Sequence, residues 1–558
     1  MAQEQTAPLS IERIVPGAEG VEPFFWPVSR AEMVAFRDAL LHRLLPMLDG
    51  AAAEGVPGAR ELRLLSIFWL SECMGLYQAV LLSRRLDASG RIPAYGAGFR
   101  LWDAVFQGRA PDGPPLFSVL ANTKNGDAPR FKNPLRIFRK LFRTGKKRQT
   151  ASAPDAVCFS ALPKQDLPRI SSARPSRALL RDGVVTTKRS DIISMHAAGS
   201  DRNVGYLEHK HWFASVGSVP ASVAVSRDLL EEACDLVAAT FQDCGEPLPG
   251  YLRDYLRGEM ERGCRLVGAH LARLDARPHE LPSRLWTGSG GNIWDRMLRL
   301  AVRGSGGEVT GHDHALGDSY LRWEECFCLN EFFECDVFMT YTKRQRDLLA
   351  GQLDAWRSFS KHAPRIASVP WPEGKDAGAA FASFAPREQV RSVMLVGVFY
   401  IGEESRVYPL QSDVVAVDFQ ARLLARLREW GYEAIFKEHP ESRARAPMEF
   451  ESVIGAHNEN RRFEQVVESA DVILFSCLRT STFNITMRSN KPAVFIDFGE
   501  DSFVGSARSL LEGRCPIVPA GAAPDNRVQL DWDALRSAIE ESVRLADDTR
   551  FFKRYLLD

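Results

Sequence analysis

The chain has 558 residues, 45% of them hydrophobic and 25% charged, with 71 Lys+Arg set against 71 Asp+Glu. That length exceeds what one core organises and predicts two or three domains of ordinary globular composition. A formal net charge of zero argues against a dedicated nucleic-acid binder, so any basic patch must be local.

Residues 1–25 are short, polar and marked by Pro and Gly, which predicts a loosely attached segment. The stretch 1–20 holds no apolar core of signal-peptide length, and the ten cysteines follow no regular spacing. A reducing, cytoplasmic setting is the expectation. Ser29-Arg-Ala-Glu32 has the form of a capping box, and Met33, Phe36, Leu40, Leu44 and Leu45 repeat at helical spacing behind it. A second helix is expected over 62–84. It is the most apolar stretch of the chain, but Glu72, Gln78 and the flanking arginines predict a buried helix rather than a membrane span. Residues 1–150 therefore read as a helix-rich N-terminal portion. Within it, 124–148 carries ten Lys and Arg against one acid, Asp127, interleaved with Phe131, Leu135, Ile137, Phe138, Leu141 and Phe142. Such a basic amphipathic stretch suits an anionic membrane surface, or a helix packed on its own protein or a partner.

Residues 151–368 read as a first, decorated Rossmann-like domain. Strands are expected at 184–186, 191–196, 221–225, 284–286, 307–311 and 336–340, the last closing this half. A long helical region is expected over 227–274, and a helix over 292–302. Pro370, Pro372, Gly374 and Pro386 punctuate 369–387, the expected linker. In 388–558 the apolar runs 393–396, 432–437, 471–475 and 493–498 are bounded by turns and separated by helix-length segments at 418–430, 463–470 and 483–489. That pattern predicts buried parallel strands joined by crossover helices. A helix is expected over 532–546. The fold class is α/β.

In parallel sheets, ligands bind at the carboxyl ends of the strands. That rule singles out Lys437, His439, Ser476, Arg479, Thr480, Ser481 and Thr482. The Ser/Thr-rich turn also opens a helix whose free amides favour an anion, so a phosphate-bearing ligand is expected. Gly288, Ser289 and Gly290 precede another helix and are candidates for acceptor or donor contact, with tight packing of helix on strand as the alternative. His312-Asp313-His314 ends a predicted strand, where a histidine beside a carboxylate can take a proton from a hydroxyl. A metal reading that adds Cys326, Cys328 and Cys335 is set aside, because i and i+2 on a helix do not share a face.

A strand ending in Lys437-Glu-His439-Pro440, a second ending in Ser476 to Thr482, a helix, and Lys491-Pro492 before the next strand together resemble the C-terminal half of GT-B glycosyltransferases. The similarity spans residues 390–500 and lies nearest the sialyl- and Kdo-transferases of capsule synthesis and the CDP-glycerol polymerases. It implies two Rossmann-like domains facing a cleft, with the terminal segment 551–557 packing back onto the first domain. His439 and the Ser/Thr turn would hold the donor phosphate, and Gly397 would lie in the donor loop. By the same resemblance His314 is the expected base, with Asp313 its rival, because inverting sialyl- and Kdo-type enzymes often use a carboxylate; His312 would lie beside the acceptor. Ala315-Leu316 stand where the family has two glycines. The expected activity is transfer of a sugar from a nucleotide-sugar co-substrate to a bacterial surface glycan at the inner membrane face. Neither metal nor bound cofactor is expected. The alternatives are polyol-phosphate transfer, nucleotide-sugar epimerisation, or a non-enzymatic glycan-assembly role.

Overall fold

A computed structural model describes residues 6–14, 16–96, 99–112, 176–188, 190–200, 202–213, 223–288, 290–313, 319–357, 360, 362–369, 381–385, 389–400, 411–439, 450–499 and 501–557. The basic stretch 124–148 lies outside the described residues.

The N-terminal portion begins with β1 (Thr6–Pro8) and the hairpin β2 (Pro16–Gly17) and β3 (Gly20–Val21). This segment is tied down rather than loose. The Val21 amide donates to the Asp418 carboxylate at 3.0 Å, and Asp418, itself fully buried, also receives Arg422 and Arg527. A buried carboxylate needs such partners, and they pin residues 16–21 to the far domain. The helix α1 (Arg30–Ala53) starts at the predicted capping box, with reciprocal Ser29 and Glu32 bonds. It packs on α2 (Ala59–Ser89), where Phe36 stacks on Tyr77 with ring centroids 4.1 Å apart. By length and composition α2 is apolar enough to cross a membrane, but most of its apolar window is buried inside the protein. After α2 the strand β4 (Ile92–Ala94) pairs in parallel with β1. The predicted helical region resolves into two helices, Arg227–Asp243 and Gly250–Asp275, broken where Gly245 takes φ +86°.

The first sheet comprises β5 (Val184–Thr186), β6 (Val204–Tyr206), β7 (Arg284–Thr287), β8 (Glu308–His312), β9 (Val337–Thr340) and β10 (Arg365–Ser368). All pairings are parallel, in the order β10-β9-β8-β7-β5-β6. Two expectations need correcting. Residues 191–196 form a helix, Asp191–Ala198, because Ile192, Met195 and His196 recur at i, i+3 and i+4 against one face of the sheet. The strand β10 follows β9, so 336–340 does not close this half. Of the strand expected at 221–225, residues 223–226 are irregular and the others lie outside the described residues.

The second sheet comprises β11 (Ser392–Val396), β12 (Glu433–Lys437), β13 (His457–Glu459), β14 (Val472–Phe475), β15 (Ala493–Asp497), β16 (Ile517–Ala522) and β17 (Val528–Leu530). Its order is β13-β12-β11-β14-β15-β16-β17, parallel except for β17. Read from β11, that is the 3-2-1-4-5-6 order of a dinucleotide-binding sheet. The helix expected over 463–470 is instead two 3-10 turns, Phe463–Gln465 and Val467–Ser469.

Residues 319–322, which follow β8, insert into the second domain. Tyr320 is fully buried, and its hydroxyl is shared between the Leu478 carbonyl at 3.0 Å and Asn484 Oδ1 at 2.8 Å. Leu321 bridges to Phe503, and the backbone of Arg322 and Tyr320 bonds to Ser502 and Val504. Residues 478–484 follow β14 and 502–504 follow β15, so the carboxyl edges of the two sheets meet. The protein is thus an α/β, GT-B-like arrangement of two Rossmann-like domains facing a cleft, with a helix-rich N-terminal extension. The terminal turns Arg550–Phe552 and Lys553–Leu557 lie across the same junction, where the Tyr555 carbonyl accepts from Ser319 Oγ.

Removing the inserted ring tests this junction. Tyr320→Ala is expected to cost about 3–5 kcal/mol, the range for a buried aromatic truncated to alanine. It should also split urea unfolding, followed by far-UV and near-UV signals, into two transitions. Tyr320→Phe keeps the ring and should retain coincident transitions.

Candidate functional site

In the second domain the predicted donor residues collect at the carboxyl ends of three adjacent strands. Gly397 follows β11, Lys437 ends β12 with His439 just after it, and Ser476 to Thr482 follow β14. The chain leaves β11 toward β12 and later returns to β14 on the other side, so this edge is the switch point of the sheet. Gly397 packs where a Cβ would come within 2.7 Å of the Phe436 ring, which explains the absence of a side chain. His439 is half-buried, with Phe399 set edge-on to its ring at 5.3 Å. The Lys437 ammonium is buried and donates to the Glu438 carbonyl at 3.0 Å. Burial holds its pKa below the ordinary lysine value, opposed by Glu459, Glu438 and Glu464. Thr480 caps the helix Ser481–Met487 by accepting from the Phe483 amide at 3.2 Å, and it also bonds Thr482 at 2.9 Å. Arg479 turns to the other domain, donating to the Arg322 carbonyl at 2.6 Å and lying over the Phe327 ring.

In the first domain, the switch point lies between β5 and β7, and a cavity of about 390 Å³ opens there. Thr187 and Lys188 line it after β5, His209 after β6, and Gly291, Asn292 and Asp295 after β7. Asp295 Oδ1 accepts from Thr187 Oγ1 at 2.7 Å and from His209 Nε2 at 2.7 Å. Burial raises the Asp295 pKa, but His209, Thr187 and Arg299 together bring it below the ordinary carboxylate value. The carboxylate is therefore ionised and accepts a hydrogen bond from Nε2–H, which leaves Nδ1 as the acceptor nitrogen of the His209 ring. Asn292 caps the helix Ile293–Gly304 by accepting from the Trp294 amide. The same helix buries Arg296 and Arg299, which bind the Gly290 and Gly288 carbonyls. A Cβ on Gly290 would collide with the Asn330 carbonyl, so this turn is packed as tightly as its glycines allow. Ser289 lies outside the described residues.

The His312-Asp313-His314 run is placed differently. His312 is fully buried, with Nδ1 donating to the Thr287 carbonyl at 3.0 Å and Nε2 facing His196 Nδ1 at 3.0 Å. His196 stacks on Trp286 with centroids 3.9 Å apart. Burial pushes the His196 pKa down to about 4, and burial together with the neighbouring His196 pushes His312 down to about 3. Asp313 is buried, and its carboxylate accepts from Gln345 at 2.9 Å. His314 lies outside the described residues. Cys326 and Cys328 sit buried in the helix Glu325–Glu331, and no group of three or more His, Cys, Asp or Glu among the described residues is arranged to hold a metal.

Sequence reading missed His209, Asp295, Thr187 and Lys188. The available signal was the polar run Glu208-His209-Lys210-His211 directly after the β6 segment, together with an acid in the first turn after the Gly-rich stretch.

No protein-family model matches the chain, and no curated protein matches it. Among solved structures, the UDP-GlcNAc 2-epimerase from Methanocaldococcus jannaschii aligns over 64% of this chain and 91% of its own, at 12% identity and a TM-score of 0.32. At that similarity, the architecture stands on the strand orders alone.

The paired histidines make a pH prediction. Their folded pKa values lie below the unfolded value of 6.5, so the neutral pair stabilises fully above pH 6.5 and that contribution is lost as pH falls toward 4 and below. His196→Gln should flatten the fall in Tm between pH 6.5 and 4; an unchanged slope would show that folded His196 binds its proton as readily as the unfolded residue does.

Proposed function

We propose that this protein transfers a sugar from a nucleotide-sugar donor to a glycan hydroxyl. The observation that supports the reading is the meeting of the two sheets' carboxyl edges through residues 319–322, since both switch points lie on those edges. The wall formed by the second domain offers His439 and the hydroxyls of Ser476, Thr480 and Thr482 to a donor phosphate. The wall formed by the first offers His209, backed by Asp295, with Lys188 alongside.

In this reading His209 Nδ1 takes the proton of the acceptor hydroxyl. The oxygen bonds to the anomeric carbon as the bond from that carbon to the donor phosphate breaks, and the phosphate leaves with the electron pair. Asp295 holds the histidine tautomer and stabilises the imidazolium that forms. Hydrogen-bond donors around His439 stabilise the charge on the departing phosphate. His209 takes the role of base here because its ring reaches the cavity, whereas the Asp313 carboxylate is buried against Gln345. The acceptor is a surface glycan by resemblance of the 390–500 motifs.

Two measurements test the reading. Thermal-shift binding to CMP, CDP, UDP, GDP and their sugar conjugates should find one nucleotide that raises Tm, and His439→Ala should abolish that shift. With that donor, His209→Ala should lower kcat by about 100- to 10,000-fold, the usual contribution of a positioned base. Asp295→Asn should show a comparable loss. Conversion of the nucleotide sugar without any acceptor would replace transfer by epimerisation, and no nucleotide binding at all would sink both.

A further inference from the structure

A second cavity, of about 480 Å³, lies at the domain junction and takes no part in the chemistry above. The first domain contributes Lys343, Arg344, Arg346 and Asp347 from the start of the helix Lys343–Arg357, and the second contributes Lys553 and Arg554 from the C-terminal turn. Five cationic side chains thus face one carboxylate, and that carboxylate is engaged by Arg346 at 2.6 Å. In a chain whose net charge is zero, this is a strong local excess.

The cavity has a fixed floor. The Arg344 guanidinium lies 4.4 Å over the Tyr555 ring, and its buried Nε has no hydrogen-bond partner among the described residues. Tyr555 is itself held, its hydroxyl near Ser506 Oγ at 3.3 Å and its carbonyl bonded by Ser319. A stacked guanidinium keeps its N–H groups in one plane, the geometry that matches phosphate oxygens. The volume falls in the range of small-ligand sites. Cations from two domains exceed what a single phosphate needs. Along the first sheet, this cavity follows β9, three strands from the β5 switch point and about 14 Å away at ordinary strand spacing.

We propose that this cavity is a second anion site, separate from the cleft, which takes a diphosphate group and in doing so ties the two sheet domains together. The ligand is a free diphosphate-bearing small molecule or a phosphorylated lipid headgroup; both present the same oxygens to the same cations.

The test uses the full chain and titrates pyrophosphate by calorimetry at low ionic strength. Arg344→Gln with Arg554→Gln should weaken binding by at least about tenfold, the loss expected for two charge-assisted hydrogen bonds. Arg357→Gln, on the same helix but outside the cavity, should leave binding unchanged, and in His439→Ala, which removes the phosphate contact proposed for the cleft, the component lost in the double variant should persist. A parallel arm sediments the protein with phosphatidylcholine vesicles, with and without diacylglycerol pyrophosphate. Capture that depends on the diphosphate lipid and is lost in the double variant assigns the lipid source; pyrophosphate binding without capture assigns the free one. The proposal is overturned if the double variant binds like the wild type, if His439→Ala removes the binding, or if neither arm shows any. The His439→Ala result separates failure of this site from failure of the cleft, since only the cleft reading depends on that residue.

Discussion

The insertion of Tyr320 and Leu321 into the second domain is the constraint on which the rest of the structure depends. A fully buried tyrosine is tolerated only where its hydroxyl finds partners, and here the Leu478 carbonyl and Asn484 provide them. Both acceptors belong to the segment after β14, and the neighbouring backbone bonds run to the segment after β15. A short connection after β8 thereby fixes which edges of the sheets face each other. Parallel sheets place their ligand loops on the carboxyl edge. Joining the two carboxyl edges therefore brings two sets of loops together, one from each domain, without any further device.

The helix Ile293–Gly304 does the equivalent work inside the first domain. Asp295 and Arg299 lie four residues apart and so share a face, with Arg296 beside them. Asp295 orients His209, while Arg299 and Arg296 anchor the carbonyls of Gly288 and Gly290. Buried arginines are costly unless their donors are satisfied, and here backbone carbonyls meet much of that demand. The Gly288 and Gly290 carbonyl oxygens are thus both taken up. The same physics separates this cluster from His196 and His312. Those rings are neutral: His196 stacks on Trp286 and bonds His312, which in turn bonds the Thr287 carbonyl, so the sheet closes over buried histidines without charge.

Much of the second sheet was legible because its strands are short apolar runs with turns at their ends, the pattern that buried parallel strands impose. The runs at 393–396, 432–437, 471–475 and 493–498 each became a strand within a residue or two. The first sheet was less legible. Residues 191–196 contain two adjacent isoleucines that suit a strand, yet helical spacing against the sheet decided the outcome. The pairing of His209 with Asp295 spans 86 residues, and no local pattern encodes a contact at that separation. Tyr320 was invisible for a related reason: in sequence it is an aromatic residue in a loop, and its role appears only once a second domain packs around it. Residues 16–21 show the same effect, since Asp418 and Arg527, which hold them, lie some four to five hundred positions away.

Charge at the junction has a thermodynamic consequence. A ligand that touches Arg344 and Arg554 at once binds the joined arrangement of the domains better than any arrangement that separates those residues. It therefore shifts that equilibrium by the difference, and no more. The proposed transfer has the same dependence, because His209 and His439 belong to different domains and would act on one substrate pair only when both are in reach. Linkage is reciprocal for binding: whatever the second-site anion adds to the affinity of the cleft for its donor, the donor adds to the affinity of the second site. The two proposed sites, which share no residue, would thus be coupled through the docking of residues 319–322 and 553–557 across the sheet edges.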